Sequence, residues 1–233
     1  MTIIENDLLN KVTHSTFEEF LPRIPNESVD VLFTDPPYNI AIAEWDYDFQ
    51  FVDWLNLVIP KVKNDGLVMI WNTKEIIDKR FIPYFKNQGW IVLDSFNWGK
   101  TNPRPSLDLY RIFEHLFIAY KTKEMDKFNP DEYILNLTQS EVWISQFETT
   151  IYKNDVEHET KKPVKLLEKV LLEFTSINDI VLDTTSGSGS IPVACWATHR
   201  QFLACEMDKK HAESSNKRLM DVKKDISRSI FLF

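Results

Sequence analysis

Asp35-Pro36-Pro37-Tyr38 is the stretch of this chain best suited to chemistry. Neither proline has an N–H to donate, and both stiffen the backbone. Two carbonyl oxygens and the Asp35 carboxylate therefore form a fixed corner rich in acceptors, with the flat ring of Tyr38 beside it. Acceptors next to a stacking surface suit a planar group that carries an exocyclic amine, such as a nucleobase. Taken alone, a Pro-Pro pair more often marks a plain turn. A second stretch, Asp183-Thr184-Thr185-Ser186-Gly187-Ser188-Gly189, follows an apolar run and precedes a helical one. Its glycines allow close backbone approach to a ligand. Glu206 stands seventeen residues beyond Gly189, after a further apolar run. An acidic residue there can accept both hydroxyls of a ribose. The long glycine-lysine loop that grips phosphates is absent, so the pattern suits an adenosine-type ligand without a phosphate clamp.

The elements that position these residues alternate. Val29–Thr34 is a β-prone run leading into Asp35, and Leu67–Trp71 is short and continuously apolar, as in a strand buried on both faces. Strands are also expected at Thr2–Glu5, Trp90–Trp98, Glu114–Tyr120, Asp179–Asp183 and Gln201–Cys205. Helices are expected at 14–21, 49–62, 75–87, 164–174, 191–199 and 209–224, and Asn64-Asp65-Gly66 reads as a stop between elements. This alternation predicts an α/β, doubly wound, mostly parallel sheet. Ligands of such sheets bind at the carboxyl ends of strands. Asp7, Asp35, Asp183 and Glu206 are all expected there, on one edge.

Composition sets bounds. The chain has 233 residues, 43% of them hydrophobic, enough for one sizeable domain. The net charge of −8 means that any nucleic-acid binding uses a local basic face rather than a global field. No run approaches the ~18 apolar residues of a membrane helix, and no signal peptide is visible at the N-terminus. Cys195 and Cys205 are too few for a disulfide framework, and no metal-ligand spacing is present. A cytoplasmic protein without membrane partners is the expectation.

In this order the segments resemble the beta-class amino-methyltransferases, which modify N6 of adenine or N4 of cytosine in DNA. Asp35-Pro36-Pro37-Tyr38 matches the family's catalytic motif; Glu44-Trp45-Asp46, Trp98–Pro103 and Glu114–Tyr120 also look like it. His158-Glu159-Thr160-Lys161-Lys162-Pro163 is similar to the segment before the cofactor-side helix, and Asp183–Gly189 with Glu206 matches the S-adenosylmethionine motifs. The resemblance implies a Rossmann-like, seven-stranded sheet with one antiparallel strand, Glu114–Tyr120. It implies S-adenosylmethionine as cofactor, held by Asp7, Asp35, His158, Thr160, Lys162, Pro163, Asp183, Thr185, Ser186, Gly187, Ser188, Gly189 and Glu206. It implies catalysis by Asp35, Pro36, Pro37 and Tyr38. Double-stranded DNA is the implied substrate, with Lys100, Arg104 and Arg111 as candidate contacts; family members are often homodimers. Residues 1–121 would be the catalytic half, 122–157 a target-recognition insertion and 158–233 the cofactor half.

The chain departs from the pattern at Thr184-Thr185-Ser186, where the family usually has Pro-Phe-Ala, and at Glu159 and Lys161. An aspartate at position 35 points to adenine N6 rather than cytosine N4, for which the family often has serine. Methylation of cytosine N4, methylation of RNA, and a degenerate subunit or nucleic-acid adaptor are the competing readings.

Overall fold

Val29–Thr34 (β2) lies inside the sheet and is buried on both faces, as its unbroken apolar run requires. The computed structural model describes residues 4–39, 48–100, 113–121, 142–145 and 161–230. The other strands are Val12–His14 (β1), Val62–Asn72 (β3), Ile91–Lys100 (β4), Phe113–Tyr120 (β5), Val142–Ser145 (β6), Ile180–Asp183 (β7) and Gln201–Glu206 (β8). They form one sheet in the order β1-β8-β7-β2-β3-β5-β4-β6. Of these, β5 alone runs against its neighbours, pairing antiparallel with both β3 and β4. The mostly parallel sheet and the antiparallel strand at 114–120 are as expected from the sequence. The described sheet has eight strands rather than seven, and the additional one, β6, is drawn from 122–157.

The alternation of side chains places Phe33, Met69, Trp71 and Ile118 on one face. There they pack with Val164–Phe174 (α5), Ser190–Ala197 (α6) and Lys209–Ile230 (α7). Leu32, Val68, Ile70 and Phe117 turn to the other face. They meet Trp54 and Leu55 of Phe51–Val58 (α2), with Phe81 and Phe85 from the helical stretch after β3. Each fully buried Leu or Phe contributes about 1.5–3 kcal/mol relative to an exposed one. Covering both faces is what commits a mostly parallel sheet to a three-layer fold. Lys74–Ile76 (α3) continues through a π-turn at Ile77–Phe81 into Ile82–Asn87 (α4), and Pro83, which has no N–H to donate, stands just after the π-turn.

Three sequence expectations are corrected. Ile4 and Glu5, the described part of the expected strand Thr2–Glu5, are not in a strand; residues 1–3 lie outside the described residues, and Asn6–Leu8 form a turn. The edge strand is β1, pairing parallel with β8 from Val12↔Ala204 to His14↔Glu206. The following helix is only Phe17–Phe20 (α1), prolonged by a 3-10 turn at Leu21–Arg23. Asn64-Asp65-Gly66 does not end an element. It lies within β3, where the register on β2 jumps between Val29↔Val62 and Val31↔Leu67. Gly66 is required there, since a Cβ would meet Val62 Cγ1 at 2.6 Å and the Asp30 carbonyl oxygen at 2.9 Å. Among the described residues no helix is long and apolar enough to cross a membrane.

Candidate active site

Where β2 ends, Asp35–Tyr38 leave the sheet at its carboxyl edge, between β7 and β3. The strand ends there because the prolines offer no N–H to a ladder. The Asp35 carboxylate is held on both sides. Its Oδ1 accepts the Tyr38 hydroxyl at 2.7 Å, and its Oδ2 accepts Lys162 Nζ at 2.5 Å. Lys162 Nζ also lies 2.8 Å from Glu114 Oε2 and donates to the Tyr38 hydroxyl at 2.9 Å. Its ammonium is sandwiched 5.1 Å from the Trp71 ring centroid and 5.4 Å from that of Tyr38. Glu114 reaches this edge because β5 is antiparallel: its amino end lies beside the carboxyl ends of β3 and β4. The Lys162 side chain is only 6% exposed, that of Asp35 25%. Burial raises the Asp35 carboxyl above its ordinary value, Lys162 opposes that rise, and Glu114 adds to it. Burial alone would lower Lys162, but Asp35 and Glu114 outweigh it and hold the ammonium charged. Burial, reinforced by the two carboxylates, keeps the Tyr38 phenol protonated.

The loop between β7 and α6 is tied to the same edge by the residues that depart from the family pattern. Thr34 donates to Asp183 Oδ1 at 2.8 Å and lies 2.9 Å from Thr185 Oγ1. Thr184 Oγ1 accepts the indole N–H of Trp54 at 3.0 Å. Gly187 N–H donates to Glu206 Oε2 at 2.7 Å, and Asp208 N–H to Oε1 at 2.9 Å. Glu206 is thus aimed at the loop from the end of β8. The Ser186 hydroxyl is buried and has no hydrogen-bond partner among the described residues. An orphaned hydroxyl after β7 and a carboxylate at the end of β8, beside the half-buried Thr185 and Gly187, fit a polar nucleoside ligand.

Gly189 caps the N-terminus of α6 with φ +73°, and a Cβ there would meet Ser215 Cβ at 2.8 Å. Ser215 in turn donates to the Gly187 carbonyl oxygen at 2.8 Å. Gly189→Ala is expected to cost about 2 kcal/mol, from the left-handed backbone and the displaced serine. Thermal melting should report a drop of roughly 4–8 °C.

Asp183 is 1% exposed. Burial pushes its carboxyl up to about 7, against the Thr34 hydroxyl and Thr185 N–H that favour the charged form and with the charges of Asp35 and Glu206 that oppose it. Below about pH 4 the group is protonated in folded and unfolded chains alike. As pH rises the unfolded chain ionises first, so folding loses stability up to about pH 7, on the order of 4 kcal/mol. Both Thr34 and Thr185 donate to Oδ1, which an asparagine carbonyl can replace. Asp183→Asn should therefore melt higher than the native protein at pH 8, with a much smaller gain at pH 4.5. A gain equal at both pH values would contradict this.

The structure brings Asp35, Pro36, Pro37, Tyr38, Lys162, Asp183, Thr185 and Glu206 to one sheet edge, and Pro163 caps α5 beside it. Asp7 is not among them. It sits exposed in a turn, paired with Arg23 at 3.1 Å, beside Glu5. The residues that stand next to Glu206 are His14, in register with it, and Ser15, whose N–H donates to the Glu206 carbonyl oxygen at 3.0 Å. A signal for this was present. Thr16-Phe17-Glu18-Glu19 has the spacing of a capping box, and Thr16 does accept the Glu19 N–H at 3.4 Å. A helix starting at 17 places the preceding strand at 12–14. His158, Thr160, Arg104, Arg111 and Glu44-Trp45-Asp46 lie outside the described residues. Lys100 ends β4, and its backbone alone is described. Sequence reasoning missed Glu114, Thr34 and Trp54 as members of the site.

A family model described as DNA methylase matches residues 29–217. The chain is similar to the type II methyltransferase M2.DpnII of Streptococcus pneumoniae, 26% identical over 89% of this chain and 88% of that one. It is 28% identical to the DNA adenine methyltransferase YhdJ of Escherichia coli (strain K12), over 94% of this chain and 82% of that one. The crystal structure of the M1.HpyAVI–SAM complex superposes with a TM-score of 0.66 at 26% identity, covering 89% of this chain and 98% of that one. The cytosine-N4-specific PvuII DNA methyltransferase shares the fold, with a TM-score of 0.68 at 17% identity and 93% of each chain covered.

Proposed function

We propose that this chain, which belongs to the DNA methylase family, transfers a methyl group from S-adenosylmethionine to the N6 amine of adenine in DNA. The observation that carries this reading is the acceptor corner at Asp35 on the same edge as the Glu206 loop. S-adenosylmethionine supplies an electrophilic methyl on a sulfonium. Thr185, Ser186, Gly187, Ser188, Gly189, Asp183 and Glu206 are the residues proposed to hold it, with Glu206 taking the ribose hydroxyls.

An adenine amine is a poor nucleophile because its lone pair is delocalised into the ring. Asp35 and the Pro36 carbonyl would accept its two N–H groups and favour a pyramidal nitrogen. This is catalysis by positioning and by stabilising the positive charge that grows on nitrogen. Asp35 is also the base to which the amine proton passes. Tyr38 would stack on the base, which must leave the duplex to reach a corner this enclosed. Asp35 supports adenine over cytosine. DNA contacts are proposed for Lys100, Arg104 and Arg111, because β4 ends and β5 begins, with Gly99 paired to Phe113, at the edge that carries Asp35. Target recognition is assigned to residues 122–157.

The test is methyl-labelled S-adenosylmethionine incubated with mixed-sequence duplex DNA and, separately, with RNA, using Asp35→Ala as the blank. Label in DNA that disappears with Asp35→Ala is expected. Label entering RNA but not DNA, or neither with several DNA sources, would overturn the proposal.

A further inference from the structure

Lys162 Nζ has three hydrogens and, among the described residues, three acceptors: Asp35 Oδ2, Glu114 Oε2 and the Tyr38 hydroxyl. Its side chain is 6% exposed and that of Glu114 15%, so water does little to balance these charges. A lysine this enclosed is stable only when paired, and pairing with two carboxylates is more than neutrality requires. The three groups come from three distant parts of the chain: the end of β2, the start of β5 and the approach to α5. Their meeting is therefore a product of the fold rather than of a local turn.

We propose that Lys162 and Glu114 are positioning residues for Asp35: Lys162 orients its carboxylate and keeps it charged, and Glu114 draws on the same ammonium so that Asp35 stays basic enough to take a proton. This rests on the function proposed above. With both carboxylates and the lysine charged, the cluster carries one net negative charge. Methyl transfer forms an N–C bond from the amine lone pair, breaks the S–C bond with its electron pair left on sulfur, and releases one N–H proton. That proton goes to Asp35 and leaves the cluster neutral. A lysine paired with Asp35 alone would make the carboxylate a weaker acceptor. Without the lysine, two carboxylates in this corner would repel and Asp35 would protonate early.

The two partners should thus act on Asp35 with opposite sign. Among the described residues, the titratable groups facing it are Lys162, Glu114, the Tyr38 phenol and, across Thr34, Asp183. Glu114 additionally interacts with His115, whose ring lies against Asn97.

The experiment is a carbon-13 NMR titration of the aspartate carboxyls in the full chain, with Asp35→Asn assigning the signal. It is run on the native protein, Lys162→Met, Lys162→Arg and Glu114→Gln, alongside the pH profile of kcat/KM for each. Lys162→Met should move the Asp35 midpoint and the acid limb up by roughly one pH unit or more, and Glu114→Gln should move both down. Lys162→Arg, which keeps the charge, should return the midpoint most of the way and covers a Met variant that fails to fold. Midpoints that stay fixed, or move in the same direction for both partners, would overturn the proposal. A native protein that transfers no methyl refutes the function proposed above, while the carboxyl titration still decides the roles of Lys162 and Glu114.

Discussion

Asp35→Asn is expected to slow single-turnover methyl transfer by roughly 10²–10³-fold, the scale of losing one preorganised hydrogen-bonding group at a charge-developing atom. The native carboxylate accepts Tyr38 on one oxygen and Lys162 on the other. An asparagine has one acceptor and one donor. If its oxygen keeps Tyr38, its NH2 faces a buried ammonium; if it turns, it faces a phenol that donates. Either way the amine of the target base loses an acceptor and a proton sink together. Lys162 retains Glu114, so the fold survives with a lowered melting temperature. The cofactor loop is tied to Thr34 rather than to Asp35, so cofactor affinity should change by about threefold at most, on the order of 0.6 kcal/mol. Rapid-quench transfer and equilibrium dialysis on the same preparation check both halves. Slow transfer with equally weakened cofactor binding would mean that Asp35 holds the cofactor rather than the amine.

Glu206→Gln is expected to do the reverse, weakening cofactor binding by about 10–100-fold with little change in the single-turnover rate at saturation. The two Glu206 oxygens accept Gly187 N–H and Asp208 N–H, and each keeps a lone pair for a ribose hydroxyl. Glutamine can satisfy only one of those N–H groups. A hydrogen bond to a charged acceptor contributes about 1.5–3 kcal/mol, which gives the affinity range above. Calorimetric titration with the cofactor measures it. Unchanged affinity would mean that Glu206 serves only to shape the loop.

These residues differ in how legible they were. Val29–Thr34, Val164–Phe174 and Ile180–Asp183 are readable because each is a compact apolar pattern bounded by turn chemistry. The Asp35 corner follows from the same run, since prolines must end a central strand. Asp7 was misplaced because Ile3 and Ile4 look β-prone, whereas pairing with β8 selects Val12–His14. That choice depends on a partner strand some 190 residues away, and local propensity does not contain it. Glu114 was legible as a strand residue but not as a site residue, because only the antiparallel direction of β5 brings its first turn of chain to the catalytic edge. Lys162 was visible as part of a motif assigned to the cofactor side. Its contact with Asp35 spans 127 positions and emerges only when α5 packs beneath β2 and β3. The hydroxyls of Thr184 and Thr185 look like a lost apolar wall in the sequence. In the fold they anchor the loop to Trp54 and Thr34.

The most direct test of the account is the chemical identity of the methylated base. Mixed genomic DNA incubated with the protein and S-adenosylmethionine is digested to nucleosides and resolved by mass spectrometry. N6-methyl-2′-deoxyadenosine, formed by the native protein and absent with Asp35→Ala, is the predicted product. N4-methyl-2′-deoxycytidine would keep the fold and the cofactor but contradict the base assigned to the Asp35 corner, and no methylated nucleoside from any DNA would contradict the assignment of activity itself.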